Sequence, residues 1–334
     1  VNVREIGSFY VGGRVVEVRG LDPLEVRFTS GLPPRTVEQN GRFDAFQMYV
    51  HYVKLAASEA GPLLLWHGGS MTGAVWERTP DDRPGWQTAF LEAGYDVYVS
   101  DAVERGRSSW NRHPEIYASA PVYRSKAEAW NIFRIGPAEA AAEANAGGVW
   151  QAHPGVQFPT EAFDQFTKSL VPRWLSNDAA TQAAYDELVR RTGPCTIVAH
   201  SQGAAFALQA ALNSPQSVRA LVAIEPTGTP HPTGQELAAL RDVPHLLLWG
   251  DFIEGEPFWR AAFENAERYA SALRSAGVEC ERVVLPRNGI YGNSHLPMLD
   301  RNSERIAQIV ARWLEQRAGS APEPHFERRN EVVS

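Results

Sequence analysis

Short, continuous apolar runs recur along this 334-residue chain at intervals that a helix can bridge. They are Pro62-Leu63-Leu64-Leu65-Trp66, then residues 96–99, 195–198, 220–224, 245–249 and 281–285. A run that is apolar throughout, rather than at alternate positions, fits a strand buried on both faces. Stretches with helical spacing lie between most of them, as at 203–213, 257–275 and 303–316. Such alternation implies an α/β fold with a mainly parallel, doubly wound sheet, in which ligands bind beyond the carboxyl ends of the strands. Two N-terminal segments differ. Residues 47–53 alternate like a half-buried strand, and 9–18, with Gly12-Gly13 at the centre, read as a β-hairpin. Both are expected to add antiparallel strands to the sheet.

From about 105 to 189 the rhythm breaks. Buried runs are missing there and aromatics are frequent, among them Trp110, Tyr117, Trp130, Trp150, Phe163 and Trp174. The segment is too long for a loop between core strands. It is expected to be a mostly helical cap. The division that follows is an N-terminal core part over 1–105, a cap over 106–185, a C-terminal core part over 186–317, and a polar, proline-containing tail over 318–334.

Composition narrows the function. Hydrophobic residues make up 44% and charged residues 21%, as in a globular chain. A net charge of −7 with interspersed signs leaves no basic patch for phosphates, so nucleic acid is not an expected partner. No apolar run approaches the roughly 20 residues that span a bilayer. The N-terminus lacks the order of a signal peptide, yet the chain opens at Val1. An exported protein with its leader removed and a cytoplasmic protein both fit. Cys195 and Cys280 are too few for a disulfide framework or a metal cluster and are expected to be buried small residues. The N-terminal strands could offer an edge for pairing with a second copy as a homodimer.

The chemistry gathers around Ser201. In Ala199-His200-Ser201-Gln202-Gly203 an apolar strand breaks at a serine and continues into an alanine-rich helical stretch. This is the layout of a nucleophile elbow, G-x-S-x-G, with alanine at the first small position. A serine opening a helix can also be merely an N-cap. A nucleophilic serine needs a base, and the base needs an acid to fix its tautomer. His295 suits the base, in a loop of glycine and small polar residues after the last apolar run. For the acid, Glu225 ends the run 220–224, where a desolvated carboxylate requires a partner. Asp251, after Trp249-Gly250, is the alternative acid, unless it caps the following turn. The oxyanion needs two N–H donors: Gln202, following the nucleophile, and Gly69 in His67-Gly68-Gly69-Ser70. Ser70 and Trp130 are the candidate substrate contacts. The glycines match neither a phosphate loop nor a dinucleotide fingerprint, and no cofactor or metal is expected.

With these motifs the chain resembles the α/β-hydrolase superfamily over nearly its whole length. Asp101-Ala102-Val103-Glu104-Arg105-Gly106-Arg107-Ser108 is similar to that superfamily's D-x-x-G-x-G-x-S turn, with Glu104 at the first glycine. Within it, the chain is most similar to a small group of bacterial serine carboxylesterases with a glutamate acid after the sixth strand and an aromatic-rich insertion. Glu225 matches that acid. The group can carry two adjacent cysteines where this chain has Gly69 and Ser70, and many members are secreted. The resemblance implies a cofactor-independent hydrolase of a small or medium, apolar or aromatic ester. A lactonase, an amidase, a carbon–carbon bond hydrolase, or a ligand receptor on the same scaffold are the alternatives.

Overall fold

The computed structural model describes residues 1–110, 116–117 and 119–318. The expected tail therefore lies, from 319 onward, outside the described residues. In chain order the elements are β1 (Val3–Val18), β2 (Leu24–Val26), β3 (Arg35–Val37), β4 (Gly41–Leu55), β5 (Gly61–Trp66), α1 (Ala74–Glu77), α2 (Trp86–Glu92) and β6 (Tyr95–Asp101). The aromatic-rich section holds α3 (Lys126–Ile132), α4 (Ala138–Asn145) and α5 (Phe163–Thr167), and α6 (Asp178–Thr192) follows it. Then come β7 (Cys195–His200), α7 (Gln202–Asn213), β8 (Val218–Ile224), α8 (Gly234–Ala239), β9 (His245–Trp249), α9 (Pro257–Ser275), β10 (Cys280–Val284) and α10 (Ser303–Ala318).

The main sheet runs β1-β4-β6-β5-β7-β8-β9-β10. Pairings β1/β4 and β4/β6 are antiparallel and the others are parallel. Every continuous apolar run lies in one of the parallel-paired strands, and alternate side chains feed two cores. Leu63 and Leu65 of β5 pack with Trp86 and Phe90 of α2 and Val310 of α10. Leu64 and Trp66 face the other way, toward Tyr185 of α6, Ala207 of α7 and Leu273 of α9. Burial on both faces explains why these strands show no alternation in the sequence. Cys195 and Cys280 are free and buried.

The expected N-terminal hairpin is not formed. Residues 9–18 belong to one long strand, β1, paired along its length with β4. Gly12 and Gly13 do have positive φ, 66° and 88°, but the strand continues through them in register rather than reversing. A Cβ on Gly12 would stand 2.8 Å from the Ala184 Cβ of α6. Tertiary packing, not a tight turn, sets the glycine there.

The aromatic-rich section is less regular than expected, with short helices and an isolated bridge between Val122 and Arg173. Its rings do not form a separate core. Trp130, Phe133, Phe158, Phe163 and Phe166 join the cluster that holds Val99, Leu296 and Met298. The expected boundary at 185 falls inside α6, whose Tyr185 and Leu188 pack in the opposite core beneath the sheet.

Candidate active site

The strand β7 ends at His200 and α7 begins at Gln202, so Ser201 alone makes the turn. Its φ of 55° and ψ of −117° are sparsely populated for a side-chain-bearing residue and cost about 1–3 kcal/mol. The surroundings impose this. The Ser201 N–H donates to the Ile224 carbonyl at 2.8 Å, and the Ala205 N–H donates to the Ser201 carbonyl at 3.2 Å. Gly203 allows the helix to start there, because a Cβ on it would lie 2.4 Å from the His67 carbonyl oxygen. The Ser201 side chain makes no capping bond. Its Oγ instead lies 3.0 Å from His295 Nε2.

On the other side of the ring, His295 Nδ1 lies 2.9 Å from Glu225 Oε2. A carboxylate there can only accept, so Nδ1 carries the proton and Nε2 is left to take the serine's. Glu225 also has positive φ, 52°. Its other oxygen, Oε1, accepts from Arg134 Nη2 at 2.5 Å and from the Gly250 N–H at 2.6 Å. Asp251 is used differently. Its carboxylate accepts the backbone N–H groups of Phe252, at 2.8 Å, and Gly292, at 3.0 Å, and its carbonyl accepts Arg134 Nε at 2.8 Å. It braces turns beside the histidine and makes no hydrogen bond to it among the described residues.

Burial and these partners set the charges. Burial would raise Glu225, but the adjacent Arg134 cation and the His295 hydrogen bond outweigh it and hold the carboxyl well below its usual range. Burial pushes His295 below its ordinary value despite the opposing pull of Glu225. At neutral pH the pair is therefore carboxylate and neutral imidazole, the state in which His295 can accept a proton. The ring is also confined: Trp259 lies 4.0 Å away between centroids, and Phe133 lies parallel at 6.0 Å. The His295 backbone is tied at both ends, its N–H donating to the Phe133 carbonyl at 2.9 Å and its carbonyl lying 2.8 Å from His200 Nε2.

The loop after β5 passes so close to Ser201 that a Cβ on Gly68 would stand 2.9 Å from the Ser201 Cβ. His67 shapes this loop. The Ala102 N–H donates to its Nε2 at 2.9 Å, which makes Nδ1 the protonated nitrogen, donating to the Gly68 carbonyl at 2.8 Å. Burial pushes His67 down to about 4, so it stays neutral. Asp101 accepts the Gly73 N–H at 2.8 Å and Arg107 Nε at 2.8 Å, while Ser108 Oγ accepts the Tyr49 N–H at 2.8 Å. The turn over 101–108 thus joins the loop after β5 to β4 and β6. Glu104, where the resembled turn has glycine, does adopt a φ of 60°. No described hydrogen bond takes the N–H of Gly69 or Gln202. Ser70 is buried with a φ of 61°, and its carbonyl accepts the Val171 N–H at 3.0 Å. Trp130 packs against Trp150 and Phe163 and donates its indole N–H to the Gln151 carbonyl at 3.1 Å, buried among the insertion's other rings.

Sequence reasoning did not find Arg134, Trp259 or Asp300. The fully buried Asp300 accepts from Ser294 Oγ at 2.7 Å, from the Ser294 N–H at 2.9 Å and from Asn293 Nδ2 at 2.9 Å, which shapes the loop that presents His295. Burial pushes its carboxyl up to about 7.

Residues 61–278 match the alpha/beta hydrolase fold family, and the chain belongs to it. It is an enzyme of the serine-hydrolase class, of the esterase and lipase type. The solved structure of a novel bacterial esterase is similar with a TM-score of 0.80 and 29% identity, over 95% of this chain and 97% of that one. The probable secreted lipase phiG of a fungal species is 27% identical, over 83% of this chain and 88% of its own length.

Proposed function

We propose that the protein is a carboxylesterase that works through a Ser201–His295–Glu225 triad and an acyl-enzyme. The observation that carries this reading is the unbroken hydrogen-bonded line from Ser201 Oγ through the His295 ring to Glu225, at 3.0 and 2.9 Å. Ser201 Oγ attacks the ester carbonyl while His295 Nε2 takes its proton. The resulting imidazolium is stabilised by Glu225, which Arg134 and Gly250 keep ionised and oriented. The tetrahedral oxyanion is held by the N–H groups of Gly69 and Gln202. His295 then protonates the leaving alcohol, and the same ring activates the water that releases the acid.

The aromatic-rich insertion acts as the cap. Phe133 and Trp259 beside His295 support a small or medium substrate with an apolar or aromatic portion, and Ser70 lines the oxyanion side. The likeness to a probable secreted lipase supports an exported location. Hydrolysis of phenyl acetate by the purified protein tests the reading. Ser201→Ala should lower kcat about a thousandfold or more while leaving the fold intact. A variant that keeps more than about a tenth of the rate would rule out the serine mechanism.

A further inference from the structure

We propose that Arg173 makes this site selective for esters that carry a carboxylate elsewhere in the molecule, because its guanidinium stands unpaired against the oxyanion loop beside the nucleophile. The inference rests on the triad reading and adds a substrate class to it.

Hydrogen bonds fix the backbone that carries the guanidinium. Arg173 and Val122 exchange both backbone hydrogen bonds, at 2.8 and 2.9 Å, and the next residue's N–H, of Trp174, donates to Glu104 Oε1 at 3.2 Å. Two residues earlier, the Val171 N–H donates to the Ser70 carbonyl at 3.0 Å, joining this segment to the oxyanion loop. From that position Arg173 Nη1 reaches the loop so closely that a Cβ on Gly69 would meet it at 3.1 Å, and would meet Gln202 Oε1 at 3.3 Å. The guanidinium thus lies beside Gly69, one of the two residues assigned to the oxyanion hole, and the Gln202 side chain borders the same space. The absence of a side chain at Gly69 gives it the room.

This cation forms no direct ion pair among the described residues. Arg173 Nε is buried without a hydrogen-bond partner. Glu104 takes the Trp174 N–H and lies 3.9 Å from Arg105, and Asp178 accepts Gln202 Nε2 at 3.3 Å. Neither forms an ion pair with Arg173. The carboxylates of Asp178 and Glu104 attract it from beyond ion-pair distance, against the repulsion of Arg124, whose own guanidinium pairs with Glu128. A half-buried guanidinium with a buried donor unused is costly unless an acceptor joins it, and an anion satisfies both its charge and its donors. The guanidinium's planar set of N–H donors matches a carboxylate. An ester with a carboxylate on its acyl or alcohol portion would fill that place and orient its carbonyl toward Ser201.

The test compares charged and neutral partners: phenyl hydrogen adipate against methyl phenyl adipate for the acyl side, and 4-acetoxybenzoate against its methyl ester for the alcohol side. Wild-type protein should prefer the charged member of at least one pair, in kcat/KM, by about tenfold or more. Arg173→Gln should lower that charged-to-neutral ratio by about tenfold, and Arg173→Lys, which keeps the charge but not the fork, should retain part of it. A wild-type protein without preference in either pair overturns the inference, and needs no variant to fold. So does a variant in which both members fall together, since a purely structural or oxyanion role would act on both. Turnover of the neutral esters that depends on Ser201 but shows no charge preference leaves the triad standing and removes only the Arg173 assignment. Failure to hydrolyse any of the four esters removes both.

Discussion

Glu225 holds three donors at once, from His295, Arg134 and Gly250, and that arrangement determines what each neighbouring substitution should do. Glutamine at 225 would keep the shape but offer an amide where a carboxylate stabilises the imidazolium, and it would leave the buried Arg134 cation unpaired. Glu225→Gln should therefore lower kcat on the order of a hundredfold to ten-thousandfold. Asp251→Asn should be mild, because its carboxylate serves the backbone of Phe252 and Gly292. Steady-state kinetics of the two variants on one ester checks the ranking, and the reverse order would move the acid to Asp251. Ser201 and Glu225 stand out in the sequence because each directly follows a buried strand, and His295 because it lies in a loop of glycine and small polar residues. Arg134 could not. It lies 91 positions from the carboxylate it pairs with, and a lone arginine in an aromatic-rich segment carries no local mark of burial.

At the scale of the element, loops are held in place by residues that do no chemistry. Side-chain-bearing residues with positive φ gather here: Ser70, Glu104, Arg134, Ser201 and Glu225. Such strain persists only where neighbouring packing and hydrogen bonds enforce it, and in the loop after β5 His67 and Asp101 supply those bonds. Gly69→Pro, which deletes the assigned N–H donor, should cost on the order of 10² to 10³ in kcat. Ser70→Ala should alter preference among esters more than maximal rate. Measured kcat values for the two variants on a small ester panel decide this, and an inactive Ser70→Ala beside a near-normal Gly69→Pro would place the donors elsewhere. The glycine pair after β5 was readable as a loop meant to come close to the site. Why Gly68 must be glycine was not, because the reason is the approach of a serine far along the chain.

Across the whole molecule, the parallel strands were legible because burial on both faces writes itself as unbroken apolar runs. The N-terminal strand was not. Gly12-Gly13 carries the local preference of a turn, and only the packing of α6 against it shows why the chain runs straight on. The insertion's aromatics were visible, but not their merger with the core above the sheet. Stability should show a signature of the buried loop behind His295. Asp300 is raised to about 7 in the fold and lies near 3.9 when unfolded, so its protonated form favours the native state. That contribution is fully present below about pH 4 and is lost as pH rises through about 7. Thermal unfolding of wild type and Asp300→Asn across this range should show the wild type's relative stability declining with pH and levelling above 7. A difference that does not change with pH would mean that Asp300 does not titrate as its burial implies.

The central claim is that Ser201 is a nucleophile activated by His295, and the most direct measurement is peptide mapping by mass spectrometry after exposure to a fluorophosphonate ester. The triad predicts one stoichiometric adduct, on the peptide containing Ser201, formed rapidly in wild type and slowed by orders of magnitude in His295→Ala. An unmodified Ser201 in active protein, or an adduct on a different residue that accounts for inactivation, would contradict it.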